Sequence, residues 1–475
     1  MASVDHLRLV RSGAWKAFRA EHPSITPDLA DADFTGMDLS GFDFSRADLS
    51  GARFINCILR GASLDMAHLE RARFEGANLA GASLEGARLD YLVLAGLDFS
   101  GANLRRATFR ASDLAGAVLT KGCLAGAVLE GADLTNARLD SCDLAGATLR
   151  GAKLSGVDLT GVNLTDASLD GLKLTGAKLV GSNLVRVNLK DSDLRGADLT
   201  GANLSESNCR GTNFSLARLN GARFVNAGAE GANFTSSELS DADFTRAILR
   251  HADFRKAITT GVKFVEADLQ EAVLQNLDLR SARLLQAKLS LADLSGCTLR
   301  KAVLDKLDAA GADFSRADLS EVSFQSSDLH QARFGGASFR AANLRLSNLS
   351  GAILVGTNLS GTDLVRAKLA GADLTGADLR FSKAIGVDWS GANLSSADLS
   401  NADMSEGVWS GVSLSNARIY KTKINGVWHW RIWLALCRLF AKTGEAKEMI
   451  ESSRESDRLR RIAEKDAAAR SRIRR

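Results

Sequence analysis

Ala77-Asn78-Leu79-Ala80-Gly81 and Ala372-Asp373-Leu374-Thr375-Gly376 are one five-residue phrase, repeated far apart in the chain without a slip in frame. Every fifth residue from Phe34 to Ile424 is bulky and apolar: 74 of these 79 centres are Leu, Phe, Ile, Met or Trp. The other five are Cys209, Ala229, Thr259, Ala309 and Ala384. Two places before each centre stands, as a rule, Ala, Ser, Thr or Val; two places after it Gly is commonest. A helix returns to one face every 3.6 residues and a strand every 2, so neither carries a strict five. One large and one small inward side chain per unit suit a chain that turns a corner at each unit. Such a chain winds into coils that stack by backbone pairing, and Gly accepts the positive φ that tight corners demand.

These A-(D/N)-L-x-x units resemble the pentapeptide-repeat family over roughly residues 27–427. The resemblance implies an all-β solenoid, a right-handed four-sided β-helix with four pentapeptides per coil. It also implies that the centre and its i−2 neighbour point inward, and that Asp or Asn at i−1 helps to satisfy backbone groups near the corners. At four repeats per coil there are about 20 coils, and at ~4.8 Å per coil a rod on the order of 95 Å long.

The distribution of Phe tests the 20-residue coil independently. Of 16 Phe centres, 13 fall in two facing columns. One column holds Phe34, Phe54, Phe74, Phe214, Phe234, Phe254, Phe314 and Phe334; the other holds Phe44, Phe224, Phe244, Phe264 and Phe324. Trp389 and Trp409 are one coil apart and are expected to stack. Undersized centres sit beside large ones, as Ala229 does between Phe224 and Phe234. The expectation there is volume compensation in a densely filled core.

Three segments follow: an N-terminal helical cap over 1–26, the repeats over 27–427, and a C-terminal amphipathic helix with a basic tail over 428–475. In the first, one helix is expected over 3–20, with Leu7, Val10, Ala14, Trp15 and Phe18 on one face and Arg8, Arg11, Lys16 and Arg19 mostly elsewhere. In the last, Trp430, Trp433, Leu434, Cys437 and Phe440 share a helical face that Trp428, Ile432, Leu436 and Leu439 widen. Arg431, Arg438 and Lys442 form a narrow basic stripe opposite. That face is a candidate cap, homodimer interface or membrane-docking surface. The tail (428–475) carries 13 Lys/Arg against 7 Asp/Glu, the rest of the chain 47 against 49.

The chemistry is sparse. Catalytic, cofactor-binding and metal-binding residues are all expected to be absent. Carboxylates at i−1 become neighbours between coils, but the repeat itself generates those pairs. No His or Cys stands at metal-ligand spacing, and no Gly-x-x-x-x-Gly copy continues into a P-loop. Cys57, Cys142, Cys209 and Cys297 are expected to be buried, and Cys123 to face outward. No secretory signal or membrane-spanning run is seen, so a cytoplasmic location is expected, with signal-less secretion as the alternative. Arg280, Arg300, Arg340 and Arg380 follow the centres of one column and form a candidate basic surface. Arg246, Arg250, His251, Arg255 and Lys256 form a second basic cluster.

The reading these features favour is a non-enzymatic scaffold that binds a protein partner through its solenoid surface. The resemblance also suggests a DNA-mimicking gyrase modulator, since family members of that kind dimerise through C-terminal segments. Their strongly negative surface is missing here. Attachment to a membrane or to nucleic acid through 428–475 is the third reading.

Overall fold

Each pentapeptide has five backbone N–H groups to satisfy, and Ala77–Gly81 shows where they go. Ala77 N–H donates to Phe74 O (2.8 Å) and closes a corner. Asn78 N–H reaches back one coil to Cys57 O (2.9 Å), and Leu79 and Gly81 reach forward one coil to Asp98 O (3.0 Å) and Ser100 O (2.9 Å). The fifth, Ala80 N–H, has no backbone partner. It donates to Asn78 Oδ1 (3.0 Å). Asp or Asn at i−1 therefore completes the repeat's hydrogen bonding. Asp33, Asp98, Asp373 and Asp398 do the same for Thr35, Ser100, Thr375 and Ser400.

This computed structural model describes residues 3–154 and 157–424. The chain divides into two compact units, Met1–Lys288 and Leu289–Arg475. In both units the residue before most centres makes a parallel β-bridge to the residue 20 further on. Unit 1 starts four such ladders at Asp28↔Asp48, Asp33↔Arg53, Asp38↔Ile58 and Asp43↔Ser63. Unit 2 runs from Asp293↔Asp313 to Asp403↔Lys423. The step of 20 is four pentapeptides per coil.

At four corners where i−1 lacks an Asx, the preceding coil provides one. Ser83 cannot reach Glu85 N–H, and Asp65 Oδ1 accepts it instead (2.8 Å). Asp90 serves Arg110 (2.7 Å), Asn220 serves Ser240 (3.2 Å) and Asp305 serves Gln325 (2.9 Å) in the same way. The small inward position follows a related rule. A hydroxyl or thiol there donates to a corner carbonyl: Cys57 to Phe34 O (2.8 Å), Thr212 to Leu189 O (2.7 Å), Ser347 to Leu344 O (2.7 Å). Most buried polar atoms are thus paired; the Ser382 hydroxyl and the indole N–H groups of Trp389 and Trp409 are buried without a partner among the described residues.

The corner residue two places after the centre has φ near +60° whatever its identity. Gly81 stands at 69°, but so do Tyr91 at 61°, Leu291 at 61° and Phe381 at 62°. A side chain in this region costs roughly 1–2 kcal/mol. Pairing of the coils above and below imposes the conformation, and Gly relieves the cost without being required.

The described centres are buried, Leu79, Leu139 and Leu199 among them, except Leu414, which is half-buried. Phe214 and Phe234 stack at 5.1 Å with ring planes 6° apart, and Phe224 and Phe244 at 4.7 Å and 13°. Across the core Phe214 meets Phe224 edge-to-face at 5.6 Å and 88°. Rings therefore stack down each column and meet edge-on between columns. Trp389 and Trp409 stack at 5.8 Å. Ala229, buried between Phe224 and Phe234, leaves their rings room to meet edge-on at 5.8 Å.

The N-terminal segment departs from the expected single helix. It forms α1 (Val4–Arg11) and α2 (Trp15–Glu21), parted at Gly13 with φ 76°. The break lets Val10 and Trp15 both reach the first coil, where a straight helix would carry one of them away. Ala14, expected inside, is exposed, and Arg19, expected outside, is buried. Trp15 packs on Phe44 at 5.6 Å and donates Nε1–H to Asp43 O (2.8 Å). Arg19 donates to Asp43 Oδ2 (3.2 Å), Ser45 O (3.2 Å) and Ile25 O (2.9 Å). Burial would raise the pKa of Asp43, but the Ser45 hydroxyl and amide and the Arg19 guanidinium outweigh it, and the carboxyl stays below its ordinary range.

Two predictions follow from the core and the cap. Ala229→Leu overfills the space between Phe224 and Phe234 and is expected to destabilise unit 1 by about 1–3 kcal/mol in chemical denaturation. Arg19→Met leaves inward carbonyls without donors and is expected to cost about 1–3 kcal/mol. It should raise hydrogen exchange in α1 and α2 more than in the repeats. Because the pKa of Asp43 is depressed on folding, its contribution is present above the ordinary Asp range and is lost as pH falls through and below it. Wild-type cap protection, corrected for intrinsic exchange, should weaken there, and that of Arg19→Met should change less.

Candidate interaction surface

Outward side chains fall into columns with one residue per coil, so chemistry is arranged along columns instead of gathering in a cleft. Read down a column, many charges alternate. Arg110 lies between Asp90 (3.7 Å) and Glu130 (3.5 Å), and Arg218 between Asp198 (3.2 Å) and Glu238 (3.7 Å). Lys153 meets Asp133 at 2.7 Å, and Arg186 grips Asp166 with two bonds. These ladders were missed in the five-residue frame; stepping through the sequence by 20 reveals them.

The carboxylates are structural acceptors. The Lys153 ammonium and the Thr135 hydroxyl and amide hold Asp133 down to about 2. Hydrogen bonds from Thr35 lower Asp33, and those from Ser40 lower Asp38. Every carboxyl with a displaced affinity is displaced downward among the described residues, which favours the ionised acceptor over a protonated general acid. Burial pushes the Cys142 and Cys209 thiols up to about 12 and also raises Cys57. Such thiols are poor nucleophiles. Cys123 is half-exposed, between Arg105 and Asp143. No His/Cys/Asp/Glu group able to hold a metal occurs among the described residues, and no helix among them is long and apolar enough to cross a membrane.

The basic candidates separate into three cases. Arg280 in unit 1 is exposed and bonded through Nε and Nη2 to Asp278 (2.9 and 2.7 Å). In unit 2, Arg380 holds Asp378 with the same two atoms and distances, and Arg300 donates to Glu321 at 2.8 Å. Arg300 and Arg340 line one depression of about 200 Å³ with Asp318, Ser320, Glu321 and Ala341. The second expected cluster is not brought together. Arg246, the Arg250–His251 pair and the Arg255–Lys256 pair occupy three successive corners of one coil. Arg250, His251 and Arg255 are paired with Asp268, Glu271 and Asp253. Adjacency in sequence becomes separation around the coil, because each corner turns the chain. Trp428, Trp430, Arg431, Ile432, Trp433, Leu434, Leu436, Arg438, Phe440 and Lys442 lie outside the described residues, as does Cys437.

These features define a β-helical repeat protein with its side chains displayed in columns. The family model for pentapeptide repeats matches overlapping blocks that run from 28–65, 67–106 and 112–151 to 342–380, 372–408 and 392–427. The chain belongs to the pentapeptide-repeat family, whose fold is a right-handed β-helical solenoid. No curated protein matches it. Among solved structures it is similar to HetL, a pentapeptide repeat protein involved in heterocyst differentiation regulation from the cyanobacterium Nostoc sp. strain PCC 7120. Identity is 24% over 56% of this chain and 88% of HetL, with a TM-score of 0.13. It is also similar to Rfr23 from the cyanobacterium Cyanothece 51142, with 22% identity over 28% of this chain and 91% of that one and a TM-score of 0.17. QnrB1, a plasmid-mediated fluoroquinolone resistance protein, shows 18% identity over 57% of this chain and 94% of its own, with a TM-score of 0.19.

Thiol burial yields a direct check. A maleimide added to the native chain, with peptide mapping by mass spectrometry, should modify Cys123 at least about tenfold faster than Cys57, Cys142 or Cys209.

Proposed function

We propose that this chain is a non-enzymatic scaffold that binds a protein partner through the outward columns of its solenoid. The observation that carries the reading is that many of the chemistry-bearing groups are engaged in holding the fold. Carboxylates accept corner amides or pair with Arg and Lys, and the shifted thiols are buried. What remains for function is a periodic surface suited to recognition. In the same reading the repeats make about 20 coils at four per coil, the chain works in the cytoplasm, and 428–475 closes the last coil or joins two copies.

Affinity capture with the full-length chain should enrich one protein that also binds when both components are pure. Substrate turnover by the pure chain, abolished by one side-chain replacement, would overturn the proposal. A chain ending at Val427 should aggregate or lose oligomerisation. If it stayed monodisperse and failed only in vesicle binding, the membrane role of the tail would replace the capping role.

The gyrase reading is weaker on electrostatic grounds. A polyanion mimic needs a dense negative stripe, whereas these columns alternate Asp and Glu with Arg and Lys. Supercoiling by gyrase is expected to be unaffected by excess protein.

A further inference from the structure

One corner of unit 2 repeats at twice the coil spacing. Arg300, Arg340 and Arg380 follow centres on alternate coils, with Ser320 and Ser360 between them and Ser400 on the coil after Arg380. The bridges Asp318↔Ser338, Ser338↔Asn358 and Asn358↔Asp378 fix these coils in register beside that corner. The arginines are exposed and the serines half-buried, so the guanidinium groups stand above the intervening coils. With rungs ~4.8 Å apart, successive arginines on this line are about 9.6 Å apart.

Two of the three already hold a carboxylate: Glu321 on Arg300 and Asp378 on Arg380. Asp378 uses Nε and Nη2 of Arg380, while a guanidinium has five N–H donors, so Arg380 can accept a second oxygen ligand. The Arg340 side chain has no hydrogen-bond or ion-pair partner among the described residues, and it borders the depression of about 200 Å³ beside Ser320. Further along the same corner, Phe381 and Tyr420 are 64% and 53% exposed. Lys421 lies over the Tyr420 ring at 5.1 Å.

We propose that this corner binds an acidic, proline-rich segment of a partner protein in the polyproline II conformation, with carboxylates three residues apart. This names the chemistry of the partner and rests on the scaffold reading above. A polyproline II helix has three residues per turn at 3.1 Å each, so every third side chain returns to one face after about 9.3 Å. That lies within about 0.3 Å of the two-coil step, and two steps accumulate a drift of only about 0.6 Å. A β-strand turns residues i and i+3 to opposite faces. An α-helix offers a same-face step of about 10.5 Å at i+7, which drifts by about 2 Å over the same span. Nucleic-acid strands carry phosphates at about 3.4 Å, too dense for one arginine per step. Exposed aromatic rings at the end of the line suit proline, which docks on aromatic-lined surfaces when the segment is already extended.

The test is fluorescence anisotropy with labelled (Glu-Pro-Pro)5 and the full-length chain, alongside Arg340→Glu, Arg380→Glu and, on another corner, Arg316→Glu. Binding by the wild type is expected to weaken as salt rises. Arg340→Glu and Arg380→Glu should each weaken it at least tenfold, with Arg316→Glu as wild type and every variant still folded, by circular dichroism, at the assay temperature. A peptide of equal charge with Glu at every second residue, and (Glu-Gly-Gly)5, should each bind at least fivefold more weakly. Equal binding of these controls, equal competition by an oligonucleotide of matched charge, or indifference to Arg340→Glu and Arg380→Glu would each overturn the proposal. If (Glu-Pro-Pro)5 fails while a captured partner still binds in pure form, this inference falls and the scaffold reading stands. If neither binds, both fall.

Discussion

The fold depends on one unsatisfied amide. Four of the five N–H groups in a pentapeptide find backbone carbonyls, three between coils and one across a corner. The fifth, after the centre, faces the corner with nothing in the backbone to meet it. An Asp or Asn side chain two residues earlier closes the account in Ala77–Gly81, and Asp65, Asp90, Asn220 and Asp305 close it from the coil before. A buried or half-buried amide left open costs about 1–3 kcal/mol, and a solenoid repeats the problem at every corner. The same demand explains why so many carboxylates in this chain already accept hydrogen bonds from corner amides.

The same constraint shapes the corners. With neighbouring coils paired inside each unit, φ at the corner residue stays near +60° even for Tyr91, Leu291 and Phe381. Stacking thus frees corner side chains from conformational selection, at an energy that the ladder absorbs. The inward positions have no such freedom, because stacked and edge-on rings fill the space between columns. Freedom to vary the side chain is consequently confined to the outside.

The architecture was legible because each inward residue obeys a period that no helix or strand shares. The Phe columns could be read before any coordinates, since a step of 20 is a multiple of the visible five. The N-terminal helices were less legible. Helical periodicity placed Ala14 inside and Arg19 outside, but the break at Gly13 rotates α2, and Arg19 is drawn in by carbonyls of Ile25 and Ser45 that lie far from it in sequence or in a loop. The basic residues at 246–256 misled for the opposite reason: on a coil that turns every five residues, closeness along the chain means different corners. Charge ladders were hidden at a spacing of 20, where local reading does not look.

A surface built this way has consequences for recognition. A globular protein places binding groups wherever its loops permit, so its partner must match an irregular pattern. Here any column offers sites only at multiples of one rung, and a partner that is itself periodic can engage several of them with little strain. Whether it does depends on commensurability: the smaller the mismatch per step, the more contacts add before the drift exceeds the reach of a side chain. Long, flexible arginine side chains absorb part of that drift. Alternation of Arg with Ser sets the selected period at two rungs, since a cation on every rung would repel its neighbours and would accept denser polyanions equally well.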